Sequence, residues 1–388
     1  MPRGTDVTDM KRTYRTVVES EFPEELTIDL QRESDLRYGE NPNQPAASYR
    51  LRGTSLPELT NIKLVKSGKG GLSATNLMDI TRALETLKFF PNPSVSVMKH
   101  VIPSGFATQF QGNGLDDIYT KARDADARSA FGSVVVPNRP LDKATAEAIM
   151  STYVEVVAAP EYEEGTIDIL RRRGDIRVAT FSNLDRLPKF IGDDTKGLYD
   201  LKVLPTGRVI VQKPYLSSIR CPGDLITDPL VRKDGREYVV ERDPTPEELE
   251  DLLTAWYVNV GGVRSNGIVF VKDGVTVAVG SGQQERVGAI EQAIVKSYQK
   301  AMDRERIEYD SLEGALLRNR LSVNPLYGAV MSSDAFFPFR DSIDTIARVG
   351  VTGVIQPGGS VRDYEVIQAV NEHGMAMAYT LERCFSHH

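Results

Sequence analysis

Lys99 and His100 stand side by side at the end of the apolar run Ser94-Val95-Ser96-Val97-Met98. An amine beside an imidazole can supply an acid and a base to one small site, because ammonium is charged at neutral pH and imidazole as a class titrates there. The chain has only 4 histidines, so the placement of this one matters. The elements that must hold the pair can be read around it. From Ser73 to Phe90, the residues Leu77, Ile80, Leu84 and Leu87 recur at helical spacing and predict a helix. The alternation through Val95, Val97 and Met98 predicts a strand next, and Pro103-Ser104-Gly105 is expected to break it. Lys99 and His100 are then expected at the carboxyl end of a strand, where open α/β sheets bind ligands.

The same alternation continues as helix "DKATAEAIMSTY", strand "VEVVAA", helix "EEGTIDILRR" and strand "IRVAT", the pattern of a layered α/β unit. Residues 184–243 are richer in Pro, Gly and charge, with short β-like runs such as "GRVIVQKPY" and "REYVVERD", and read as a connecting segment. Thr245-Pro246-Glu247-Glu248 predicts a new helix: Thr caps it, Pro fits its first turn and Glu248 returns a capping-box bond. A hairpin is expected from "GIVFV" and "VTVAV" around Lys272-Asp273-Gly274, where Asp-Gly suits positive φ.

A chain of 388 residues is long enough for two compact units. Its 40% hydrophobic and 26% charged content is that of a globular protein, and no apolar run approaches the ~18 residues that span a bilayer. The opening "MPRGTDVTDMKRTYR" lacks an apolar secretion core, so the expected location is cytoplasmic, with no membrane partner. A net charge of −7 argues against nucleic-acid binding, which needs a basic face. Cys221 and Cys384 match no metal spacing and are expected to be free thiols.

Beyond these local readings, an ordered set of segments resembles the AICAR transformylase family, the formyltransferase domain of the bifunctional purine enzyme that makes IMP. They are "LRYGENPNQ" (36–44), "MKHVIPSG" (98–105), "ARSAFGS" (127–133), "NRPLDKATAEAI" (138–149), "VRSNGIVFVKDG" (263–274), "GSGQQERV" (280–287), "SDAFFPFRDSID" (333–344) and "QPGGSVRDYEVI" (356–367). The resemblance implies an α/β protein of two related cytidine-deaminase-like α/β/α subdomains, paired as a homodimer with its active sites at the subunit interface. Expected boundaries are 1–34 for an N-terminal extension, 35–183 and 244–388 for the subdomains, and 184–243 for the connection.

The reaction implied is transfer of a formyl group from 10-formyltetrahydrofolate, as co-substrate, to the 5-amino group of AICAR. By resemblance His100 is the base, Lys99 the acid or oxyanion partner, and Asn266 the amide that holds AICAR and the oxyanion. The remaining AICAR contacts implied are Arg37, Tyr38, Gly132, Glu155, Arg286, Phe336 and Arg383. Those for the folate are Val287, Asp341, Ser360 and Val361. The arginines suit phosphate and carboxamide recognition because each offers several donors in a fixed fork. The resemblance leaves room for a structural potassium ion, which no motif here tests.

The sequence departs from the family pattern at Ile102, where Asn is usual, and at Glu155, where Asp is usual. The first departure opens an alternative: a catalytically impaired relative that binds AICAR-like nucleotides, or a transformylase with another formyl donor. The chain also begins too close to "LRYGENP" to hold the IMP cyclohydrolase domain, so a stand-alone form with a separate cyclohydrolase is expected, or one part of a longer enzyme. A zinc deaminase is not expected, because the His/Cys-x-Glu and Pro-Cys-x-x-Cys elements are missing. "SGKGGLS" (67–73) lacks the Walker A spacing and is expected to be a glycine-rich turn.

Overall fold

The computed structural model describes residues 4–9, 22–53, 60–109, 112–307 and 323–387. Of the N-terminal extension, residues 1–3 and 10–21 therefore lie outside the described residues.

Helix α1 (Ala74–Leu87) begins at Ser73, whose Oγ accepts the Asn76 N–H while the Asn76 side chain accepts the Ser73 N–H. It buries Ile80, Leu84 and Leu87, each contributing about 1.5–3 kcal/mol by leaving water. Strand β2 (Ser94–Lys99) follows, but the chain then differs from the sequence expectation. Pro103-Ser104-Gly105 is not a turn; it lies inside strand β3 (Ile102–Thr108), which pairs back on β2 with Lys99 opposite Ile102. The turn is His100-Val101, with φ of 56° and 66°. Gly105 has a different purpose: a Cβ there would lie 1.8 Å from the Ala122 carbonyl of helix α2 (Leu115–Ala125). Strand and helix can approach this closely only at glycine.

The unit continues with β4 (Ser133–Pro137) and then, as the alternation predicts, with α3 (Lys143–Met150), β5 (Val154–Ala159), α4 (Thr166–Arg171) and β6 (Arg177–Thr180). Strand β1 (Lys63–Lys66), which precedes α1, adds to β6 as an edge. Between the halves, residues 184–243 supply a ribbon, Asp200–Val203 with Val209–Gln212, and a pair, Pro229–Lys233 with Arg236–Val239, to which Thr5–Asp6 adds a strand.

The second half is α5 (Pro246–Gly262), β7 (Ile268–Lys272), β8 (Val275–Gly280), α6 (Arg286–Arg304), β9 (Val330–Ser333), α7 (Asp341–Ala347), β10 (Gly353–Gln356), α8 (Asp363–Glu372) and β11 (Ala376–Tyr379). The expected capping box of Thr245 and Glu248 opens α5, and the expected hairpin turn is Asp273-Gly274. Among the described residues, this order repeats the first half element for element from α1 onward. In both halves the first strand is antiparallel to the next two, and the rest are parallel. Gly280 repeats Gly105, since a Cβ there would lie 2.1 Å from the Ala289 carbonyl of α6.

The halves join into one 11-stranded mixed sheet, ordered β11-β10-β9-β7-β8-β3-β2-β4-β5-β6-β1. Its seam is the antiparallel meeting of β8 and β3 at Val275 and Ala107. Alternate strand residues feed opposite faces: Val134 and Val136 join α1 and α5 in a core shared by both halves, whereas Val135 packs on the α2–α4 side. On that second face each half keeps its own apolar cluster.

Because the seam is antiparallel, β9–β11 run opposite to β4–β6. The carboxyl ends of β9–β11, the amino ends of β4–β6 and the carboxyl end of β2 therefore share one edge of the sheet. Lys99 and His100 do lie at a strand's carboxyl end, but that strand opposes its parallel neighbours, so they face the amino ends of β4 and β5.

Candidate active site

Two groups of side chains gather along that shared edge. The first surrounds the His100 turn. Lys99 Nζ donates to the carbonyls of Phe131 (3.1 Å) and Gly132 (2.7 Å), just before β4. A Cβ on Gly132 would come within 3.0 Å of that ammonium and 3.7 Å of Glu155 Oε1, so glycine lets lysine and glutamate converge. Glu155 in turn lies 3.7 Å from Arg177 Nη1, whose side chain is 4% exposed. Arg177 Nε also donates to the Gly71 carbonyl at 3.1 Å, in the glycine-rich turn that the sequence predicts at 67–73. Arg37 and Tyr38 rest on that turn: the Arg37 N–H donates to Leu72, Tyr38 accepts from the Ala74 N–H, and the Arg37 guanidinium lies 5.0 Å from the Tyr38 ring centre. Arg37, Tyr38, Lys99, His100, Gly132 and Glu155 are thus one neighbourhood.

Asp79 of α1 completes it, accepting the Val101 N–H at 2.6 Å. Burial pushes its carboxyl up to about 6, opposed by the Val101 N–H and the Lys99 charge and reinforced by Glu155. Beside His100 opens a cavity of about 240 Å³, lined also by Ile102, Ser281, Lys296 and Lys300. Lys300 pairs with Asp126 at 2.7 Å, and burial holds the Lys296 ammonium below the usual lysine range against the pull of Asp126. Ile102 packs against the shared core.

The second group lies at the ends of β9–β11. Asn266, just before β7, accepts from Arg286 Nη2 at 2.8 Å and donates to the Gln283 carbonyl at 2.9 Å. Arg286 Nη1 donates to Ser333 at 2.8 Å and to Asp334, so its fork is turned inward onto protein partners. These residues border a cavity of about 590 Å³ with Phe336 and Arg383, whose guanidinium lies 4.8 Å from the Phe385 ring centre. The "AFFPF" run divides its labour: Phe337 is wholly buried core, while Phe336 faces the cavity.

Of the residues implied for the folate, Val287 lies in the first turn of α6, Asp341 opens α7, and Ser360 and Val361 lie between β10 and α8. The latter two loops meet where the Arg362 guanidinium lies 5.0 Å from the Phe339 ring centre. Ser360 Oγ accepts the Arg362 N–H at 3.2 Å, and Val361 is 64% exposed.

The two groups are not adjacent. From β2, which ends at Lys99, to β7, which follows Asn266, is three strand steps, about 14 Å at the usual spacing. Among the described residues, no cluster of three or more His, Cys, Asp or Glu could hold a metal ion, and no helix is long and apolar enough to cross a membrane.

Residues 7–296 match the family described as "AICARFT/IMPCHase bienzyme". This chain belongs to that family. Relatives named "Bifunctional purine biosynthesis protein PurH" include one from Magnetococcus marinus, 39% identical over 366 residues, which cover 94% of this chain and 62% of the relative. Another, from Acetivibrio thermocellus, is 36% identical over 370 residues, covering 95% and 62%. The chain thus spans about 62% of the length of these relatives.

Family resemblance did not bring forward Asp79, Arg177, Asp334, Lys296 or Lys300, which the geometry does. Arg177 looks like strand filler in "IRVAT", and Asp334 like a loop residue in "SDAFF". Their signal is burial of charge, which is costly unless paired. Lys296 and Lys300 are four apart on α6, a spacing that puts both on one face.

Proposed function

We propose that this chain transfers the formyl group of 10-formyltetrahydrofolate to the 5-amino group of AICAR. Membership of the AICARFT/IMPCHase family supports the reaction. The observation that carries the chemistry is the Lys99-His100 pair, held at a hairpin turn beside a cavity on the edge shared by both halves.

In this reading His100 takes a proton from the AICAR amine as its nitrogen attacks the formyl carbon. A positioned base typically contributes ~10²- to 10⁴-fold. The new C–N bond forms, the carbonyl oxygen carries the negative charge, and the bond to folate N10 then breaks with a proton delivered to that nitrogen. Lys99 supplies positive charge to the oxyanion or the proton to N10. Asn266 faces the oxyanion with an amide donor, a contact worth ~3 kcal/mol in comparable sites. Arg37, Tyr38, Gly132, Glu155, Arg286, Phe336 and Arg383 bind the nucleotide, and Arg286 also fixes the Asn266 amide. Val287, Asp341, Ser360 and Val361 border the folate. No step is assigned to potassium.

The spacing of about 14 Å between the Lys99 and Asn266 strands supports a dimer in which the Asn266 group of one copy meets the His100 group of the other. The repeated topology, with paired strands flanking a shared helical layer, supports two related subdomains of the cytidine-deaminase-like kind.

The test is incubation of the purified chain with AICAR and 10-formyltetrahydrofolate, following tetrahydrofolate and formyl-AICAR, alongside His100→Ala. Turnover lost in the variant is expected. Nucleotide binding without turnover by the wild-type chain would overturn the proposal in favour of an impaired relative or another formyl donor.

A further inference from the structure

We propose that Asp79 is the positioning residue that holds the His100 turn in its working conformation; this rests on the formyl-transfer reading above.

A two-residue turn with positive φ at both positions is comfortable for Asn, Asp or Gly, accepted by His, and strained for β-branched residues. His100 and Val101 occupy it at φ 56° and 66°, and Val101 is β-branched, the kind least suited to that region. The internal repeat supplies the comparison. The equivalent turn, between β7 and β8, is Asp273-Gly274 at φ 53° and 71°, two residues that adopt it readily. The His100 turn therefore needs a restraint from outside itself more than its counterpart does.

That restraint comes from the same place in both halves. Asp79 follows the α1 N-cap Ser73 by six positions, and Asp251 follows the α5 N-cap Thr245 by six. Asp251 accepts the N–H of Asp273 (2.8 Å) and of Gly274 (2.7 Å). Asp79 accepts that of Val101 at 2.6 Å. Both carboxylates are nearly buried, at 4% and 6% exposure, on helices packed into the shared core. A buried carboxylate is expensive to keep, so its retention at both turns marks a definite task. In the second half that task is only to close a hairpin. In the first, the hairpin carries His100, and the direction of its Cα–Cβ bond follows from the turn that Asp79 fixes.

The experiment compares Asp79→Ala, Asp79→Asn and Asp251→Ala in the full chain. Asp79→Ala is expected to lower kcat by about 10- to 100-fold, the usual cost of losing a group that orients a catalytic side chain, with the AICAR KM nearly unchanged. Asp79→Asn keeps a carbonyl acceptor for the Val101 N–H and is expected to stay within about threefold of wild type. Asp251→Ala is expected to lower the melting temperature without lowering kcat. If Asp79→Ala does not fold, Asp79→Leu, similar in volume but without an acceptor, replaces it. The inference is overturned if the acceptor-less variant keeps its kcat, if Asp79→Asn is as impaired as that variant, or if Asp251→Ala loses kcat equally. A wild-type chain without turnover would instead defeat the formyl-transfer reading. The turn is then followed by hydrogen exchange of the Val101 amide, which Asp79→Ala must accelerate and Asp251→Ala must leave alone for the inference to stand.

Discussion

Arg286 donates to Asp334 where solvent reaches neither freely: the side chains are 8% and 0% exposed. The pair links the start of α6 to the end of β9, and from it Arg286 reaches Asn266, so the predicted oxyanion amide is set by a charge two contacts away. Asp334 also accepts the Gly267 N–H at 2.9 Å, fixing the backbone beside Asn266. Removing one member of a buried pair leaves the other charge without compensation, at a typical cost of about 3–5 kcal/mol. Asp334→Ala is therefore expected to lower unfolding free energy by that order in urea titrations. A loss below about 1 kcal/mol would mean the pair is no keystone.

Gly132 offers a sharper test of the Lys99 position. Its φ is 71°, and a Cβ would meet the Lys99 ammonium at 3.0 Å. Gly132→Ala should cost about 1–2 kcal/mol of stability from the left-handed backbone alone. It should also shift the Lys99 ammonium by a few tenths of an ångström from its place on the two carbonyls, lowering kcat severalfold, since a misplacement of ~1 Å can cost ~10²-fold. Steady-state kinetics with a parallel melting curve separates the effects; unchanged kcat in a destabilised protein would show that Lys99 needs no such berth.

How much of this was legible depended on which residues announce their geometry. Asp273-Gly274 announces a hairpin because both residues favour positive φ, and the structure has one there. His100-Val101 announces nothing, since its turn is imposed from α1, so Pro103-Ser104-Gly105 looked like the break instead. Gly105 is required by a neighbouring helix carbonyl, a long-range reason that local pattern cannot separate from a turn. The helices α1, α3 and α4 and the capping box of α5 were readable because their signals are local, whereas α2 was not read from the sequence. The internal repeat was not, because it lives in strand direction and pairing order; its faint trace in sequence is the common spacing from Ser73 to Asp79 and from Thr245 to Asp251.

A site divided between two copies has a direct consequence in mixtures. His100→Ala spoils one group and Asn266→Ala the other, so each variant alone should be nearly inactive. Unfolded together and refolded in equal amounts, random dimers would be half mixed, and each mixed dimer would hold one site with both groups intact. About one quarter of wild-type activity should return, if the interface is twofold. Recovery is read in the coupled tetrahydrofolate assay. Two inactive variants that stay inactive when mixed, while sedimenting as dimers, would show that the groups act within one chain.

Asp79 also leaves a signature in the dependence of stability on pH. Its carboxyl titrates near about 6 in the folded chain, because burial outweighs the Val101 N–H and the Lys99 charge, whereas an unfolded aspartate titrates near ~3.9. Between those values the folded chain holds the proton and the unfolded chain does not. Stability therefore falls as pH rises through this window and stays lower above it. Asp344 acts with the opposite sign: Arg340 holds its carboxyl down to about 2, giving stability that is lost as pH falls toward that value. It is present in wild type and Asp79→Asn alike, as is Asp251, so both cancel in the difference between the two proteins. Asp79→Asn keeps an acceptor and sheds the buried charge, so it should be more stable than wild type by about 1–3 kcal/mol at pH 8, with the gain gone near pH 4. Urea unfolding at both pH values checks this. A gain that persists at pH 4 would place its origin in packing, and no gain at pH 8 would mean that Asp79 is already well compensated as a carboxylate.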